Sequence, residues 1–132
     1  MRFTGALLLM GVAVTHILDL PDKLAEAHYM AVLFCALIVA SALLAALLVS
    51  GRAIALAWSS AAALCALTIA GYALSRTVGL PQIEDHVGQW TDPIGIASLV
   101  SEAGVLALWA VYFSSRPLRL SRVLSASRSD VP

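Results

Sequence analysis

The chain has 132 residues, of which 61% are hydrophobic and only 12% charged, and its formal net charge is zero. That length allows one domain, and the charged share is about half that of a soluble domain, so lipid rather than water is the expected solvent. No basic run is interleaved with aromatics, which argues against a nucleic-acid partner.

Four apolar segments follow one another, Phe3 to Leu20, His28 to Val49, Ala53 to Leu74 and Ile94 to Phe113. Each runs for about 18 to 22 residues, enough at ~1.5 Å per residue to cross a hydrocarbon core of ~30 Å as a helix. Lipid offers backbone groups no partner, so helix is the form open to such runs. The expected fold is therefore all-α, an integral membrane four-helix bundle running up-down-up-down.

The first helix is expected over 3–20. Arg2 and the apolar stretch behind it are compatible with a secretion signal, but no Ala-x-Ala-like cleavage site follows, so the segment reads as a retained span. The second helix is expected over 21–49, with Pro21 in its first turn and Asp19 as its cap, and with Asp22, Lys23 and Glu26 solvated in the interface. Ser50-Gly51-Arg52 marks a tight reversal into a third helix over 53–74. A longer loop from Ser75 to Thr91 leads to Asp92-Pro93, a cap and first-turn proline that open a fourth helix over 93–113. The transmembrane domain is then 1–116, and 117–132 is expected to be a basic, Ser-rich cytoplasmic tail, largely disordered.

Orientation follows from the basic residues near the helix ends. Arg2, Arg52, Arg116, Arg119, Arg122 and Arg128 fall on one side, and Lys23 and Arg76 on the other, with most of the carboxylates. Both termini are expected in the cytoplasm of a cell whose plasma membrane holds the protein. Tyr29, Tyr72 and Trp90 would form an outer aromatic belt, and Trp58, Trp109, Tyr112 and Phe113 an inner one. Seven of the eight basic residues are Arg and Ala, Val and Leu abound, a bias of high-GC genes that points to a bacterial source.

Chemistry concentrates in the outer half. Glu102 lies some eight residues into the fourth helix, roughly 12 Å deep, where a charge costs about 3 kcal/mol and faces protein rather than lipid. Ser98 and Gly95 stand above it on the same stripe. The third helix presents Cys65, Thr68, Tyr72 and Ser75 or Arg76; the first presents Gly11, Thr15 and Asp19 beside His16; the second offers Cys35 and His28. Glu102, Arg76, His16, Ser98, Tyr72 and Asp19 are thus the candidate ligand-binding residues. The same residues would also serve a purely structural network, with an Arg76–Glu102 ion pair fixing helix register at about 0.6 kcal/mol per polar contact.

His16, His28 and His86, all on the outer side, are weak candidates for a metal or for haem, since no His-x-x-x-His pair occurs. Cys35 and Cys65 read as small packing residues, or as a redox pair if the helices join them. No catalytic motif is present: Ser98 and Ser101 sit in no nucleophile elbow and no phosphate-binding glycine loop occurs. The cofactor is left open. Small-residue pairs such as Ala36 and Ala40, Ser41 and Ala45, and Ala42 and Ala46 allow close helix approach, including to a second copy or a membrane-protein partner.

The segments Leu74-Ser75-Arg76-Thr77-Val78-Gly79-Leu80-Pro81, Trp90-Thr91-Asp92-Pro93-Ile94-Gly95 and Glu102, with His16-x-x-Asp19-x-Pro21 and Glu26-Ala27-His28-Tyr29, resemble small four-helix integral membrane proteins of actinobacteria, to which no activity is assigned. The resemblance implies that Ser75, Arg76, Pro81, Asp92 and Glu102 belong to one feature, the outer loop and its seat in the bundle. The expected function is a non-enzymatic accessory subunit or small ligand-binding module. Alternatives are a proton- or cation-coupled transporter, similar in size and helix count to small multidrug resistance proteins, and a metal- or haem-binding redox protein.

Overall fold

A computed structural model describes residues 1–115. The chain forms α1 (Arg2–Glu26), α2 (His28–Ser50), α3 (Ile54–Thr77) and α4 (Pro93–Ser114), with a short 3-10 turn over Glu84–His86 between α3 and α4. All four α-helices are long and apolar enough to cross a membrane. Their outward surface is correspondingly greasy: Phe3, Leu7, Val32 and Leu67 are all more than half exposed, as expected where lipid takes the place of water. The tail over 117–132 lies outside the described residues.

The first boundary differs from expectation. α1 does not stop before Pro21 but runs through it to Glu26, and the break falls at Ala27, whose backbone is extended. Pro21 forfeits one amide hydrogen bond, a loss that membrane helices tolerate when neighbours pack around them. Asp19 is therefore no cap of α2. The other boundaries have the anticipated causes. Gly51 closes α2 in the left-handed region at φ 72°, the conformation glycine adopts without steric cost. Asp92 caps α4, accepting from the amides of Ile94 at 3.3 Å and Gly95 at 3.1 Å, with Pro93 in the first turn. α3 continues to Thr77, so the loop spans 78–92.

Each helix packs on its neighbours in sequence, and α1 also packs on α4. The core cluster draws Ala6 and Leu9 from the first half of α1, Ala45 and Leu48 from the second half of α2, Ala57, Trp58, Ala61 and Cys65 from the first half of α3 and Val105 from α4. Trp58, placed by its position in an interfacial belt, is instead fully buried. The reason is Gly5 opposite: a Cβ there would stand 2.5 Å from the Trp58 ring, so only the bare backbone admits the indole. Trp58 stacks on Tyr112 with centroids 5.9 Å apart. Trp109 and Phe113 remain exposed at this end, as an interfacial pair would be. The interior of this half is filled by these side chains, while Phe3, Met10, Ala42 and Val49 line a groove on its outer face.

Candidate functional site

The opposite halves of the same helices do not close. They enclose a cavity of about 470 Å³. α1 reaches it with Thr15, His16, Asp19 and Lys23, at the three- and four-residue spacing that keeps one helix face inward. α2 supplies an apolar wall including Met30, Leu33, Phe34 and Leu37. α3 contributes Thr68, Gly71, Tyr72, Ser75 and Arg76, and α4 contributes Asp92, Gly95, Ser98 and Glu102. All six residues singled out from sequence, Glu102, Arg76, His16, Ser98, Tyr72 and Asp19, line this one space.

Glu102 is buried, and its Oε1 accepts a hydrogen bond from Ser98 at 2.9 Å. That bond joins residues one helical turn apart, so the carboxylate is held along its own helix. No cationic side chain among the described residues pairs with it. The expected Arg76–Glu102 ion pair is not formed. Arg76 sits at the end of α3, a level above, and its Nη2 lies 3.5 Å from Asp92 Oδ2.

Arg76 belongs to a chain of polar contacts across the mouth. Its Nη1 donates to His86 Nδ1 at 2.6 Å, and the guanidinium lies 4.7 Å above the Tyr72 ring, within cation–π range. Guanidinium has no lone pair to offer, so His86 Nδ1 must be the acceptor and the ring proton sits on Nε2. Nε2 then donates to Glu26 Oε1 at 3.3 Å. Lys23 donates to the other oxygen of Glu26 at 2.5 Å. The 3.5 Å approach of Lys23 Nζ to His86 Nε2 sets donor against donor and is a contact, not a bond.

Two further bonds hold the loop down. Tyr29 donates its hydroxyl to the Pro81 carbonyl at 2.7 Å, and the Gly88 amide donates to the Arg76 carbonyl at 2.9 Å. Ile83 is buried beneath the loop, and Leu80, Ile83 and His86 face the cavity. The segment 78–92 is thus a lid tied to all four helices: to α1 by Glu26, to α2 by Tyr29, to α3 by Arg76 and to α4 by Asp92.

Lys23 departs from expectation. It is 5% exposed rather than solvated, because α1 continues through Pro21 and carries it to the inward face, seven residues past His16 and four past Asp19. The spacing of His16, Asp19 and Lys23 is present in the sequence and puts them on one face of a helix that includes Pro21. The partnership of Glu26 with His86 had no local signal, since the two lie far apart in sequence.

The remaining candidates separate. His16 is buried, donates Nδ1–H to the Val12 carbonyl at 2.8 Å, and meets Phe34 edge-on with centroids 4.7 Å apart. His28 is exposed at the start of α2 and takes no part in the cavity. No three His, Cys, Asp or Glu side chains among the described residues gather as a metal site would require. Cys35 is exposed and Cys65 lies in the core, both as free thiols, which places Cys35 away from the polar interior. The chain matches no protein-family model, no curated protein and no solved structure.

Proposed function

We propose that this chain is a multi-pass protein of a bacterial plasma membrane, its helices running up-down-up-down with both termini cytoplasmic, that binds a small amphiphilic ligand in its outer cavity. It acts as a binding module or accessory subunit, not as an enzyme. One observation carries this reading: Glu102 is buried without a cationic partner at the bottom of a cavity of about 470 Å³. Ionised and unpaired, such a group is costly to keep inside a membrane protein, and a structural network would have placed Arg76 on it. The apolar wall from α2 and the polar faces of α1, α3 and α4 suit a ligand with a polar head and an apolar body.

The packed inner half favours binding over transport. Leu48, Trp58 and Val105 are fully buried there, and a carrier must open on both sides. The test uses a cavity-filling variant. A Cβ at Gly71 would meet nothing within 4 Å, and Gly71 lines the cavity, so Gly71→Leu starts into open space and fills part of it. Screen small amphiphiles for thermal stabilisation of the purified full chain in detergent. The reading expects compounds that stabilise the native protein, with the effect abolished in Gly71→Leu and weakened in Glu102→Gln. Equal stabilisation of native and filled protein by every compound would refute it.

A further inference from the structure

We infer that the ligand of this cavity is an organic ammonium ion bearing N–H groups on an apolar body. The inference rests on the binding role proposed above and gives it a chemical class. It follows from where the hydrogens of the cavity floor already go. Thr15 Oγ1 donates to the Val12 carbonyl at 2.9 Å and Thr68 Oγ1 to the Leu64 carbonyl at 2.8 Å. His16 spends its Nδ1 hydrogen on Val12 at 2.8 Å, and Ser98 its hydroxyl hydrogen on Glu102 at 2.9 Å.

The hydroxyl and imidazole hydrogens of the floor are committed to protein, and Glu102, costly to ionise alone, becomes a pure acceptor once a cation binds beside it, so a cationic ligand meets only lone pairs. They are the Glu102 carboxylate, Nε2 of the His16 ring in its Nδ1–H form, and the hydroxyl oxygens of Thr15, Thr68 and Ser98. The Asp19 carboxylate, on the same face of α1 as His16, has no ion-pair partner within 4 Å among the described residues. The cations are engaged at the rim, Lys23 by Glu26 and Arg76 by His86 and Asp92. The uncommitted donors, the Tyr72 hydroxyl and Arg76 Nε, stand one and two turns above Thr68, at the rim rather than the floor. A group that both carries positive charge and donates several hydrogen bonds complements this floor. An anion or a bare acceptor does not.

A primary ammonium meets both requirements, whereas a quaternary ammonium has the charge without the donors. The experiment compares 4-phenylbutylammonium, its N,N,N-trimethyl analogue, 4-phenylbutanol and 4-phenylbutyrate. Binding is measured by equilibrium dialysis against the full chain in nanodiscs of zwitterionic phosphatidylcholine, with empty nanodiscs as blank. The primary ammonium should bind saturably, at least about tenfold tighter than each of the other three, the scale of a hydrogen bond to a charged group. Glu102→Gln should lower its affinity by about tenfold or more while leaving the alcohol little changed. Gly71→Leu should abolish saturable binding.

If the alcohol or the carboxylate binds as tightly as the ammonium and Gly71→Leu removes that binding, the ligand class is wrong and the binding role survives. If the trimethyl analogue equals the primary amine, charge alone is read and the donor requirement falls. If none of the four probes binds saturably, both the class and the cavity's role fail.

Discussion

Arg76 donates to Nδ1 of His86 at 2.6 Å, and that bond settles on which nitrogen the imidazole keeps its proton. Because guanidinium only donates, His86 must be the Nε2–H form, free to donate to Glu26. His16, which donates Nδ1–H to the Val12 carbonyl, must be the opposite tautomer. Nitrogen NMR of histidine-labelled protein at neutral pH should therefore resolve one Nε2–H ring and one Nδ1–H ring among these residues, assigned by His86→Gln and His16→Gln. A proton on Nδ1 of His86 would break the chain of contacts across the mouth.

Asp92 has two tasks, and they can be separated. It caps α4 through Ile94 and Gly95, and it faces Arg76 at 3.5 Å. Asn keeps one acceptor oxygen for the cap but carries no charge. Asp92→Ala should cost about 1–2 kcal/mol in reversible detergent unfolding. Asp92→Asn should lose the contact with Arg76, about 0.6 kcal/mol for a polar contact between membrane helices, and one of the two cap bonds, and so should cost less than Asp92→Ala. Equal losses in the two variants would mean that the cap contributes nothing measurable.

Two glycines should respond oppositely to growth. Gly5→Ala pushes a methyl to 2.5 Å from the Trp58 ring, and that ring, stacked on Tyr112, cannot step aside. Overpacking of this kind costs about 1–3 kcal/mol. Gly71→Leu places its Cβ in open space and replaces a poor helix former inside α3, which favours the helix by up to about 1 kcal/mol. The unfolding midpoints should fall for Gly5→Ala and hold or rise for Gly71→Leu; the reverse ranking would contradict the packing described.

The lid should be reachable from outside the cell and the α2–α3 turn from inside. Asp85 and Arg52 are both exposed, so Asp85→Cys and Arg52→Cys report on the two ends. A membrane-impermeant maleimide added to intact cells should label Asp85→Cys and spare Arg52→Cys until the membrane is permeabilised. The native Cys35 and Cys65 lie in the middle of helices long and apolar enough to cross a membrane and should react with neither protocol. Labelling of Arg52→Cys alone in intact cells would invert the proposed topology.

The reach of the sequence ended where residues distant along the chain meet. Four helices, the Asp92-Pro93 start and the Gly51 reversal were legible because each is a local matter of apolar length, capping or backbone freedom. The six cavity residues were legible too, since helical periodicity and the cost of a carboxylate in lipid turn polar stripes inward. Pro21 is a misleading local signal because its cost alone does not include the neighbours that keep α1 helical to Glu26. Only the tertiary structure decided who partners whom: Arg76 takes His86 and Asp92 instead of Glu102, Trp58 enters the core through the gap at Gly5, and the lid ties to all four helices. Such pairings depend on distances of a few ångströms between separate helices, and helix length, composition and periodicity do not encode that register.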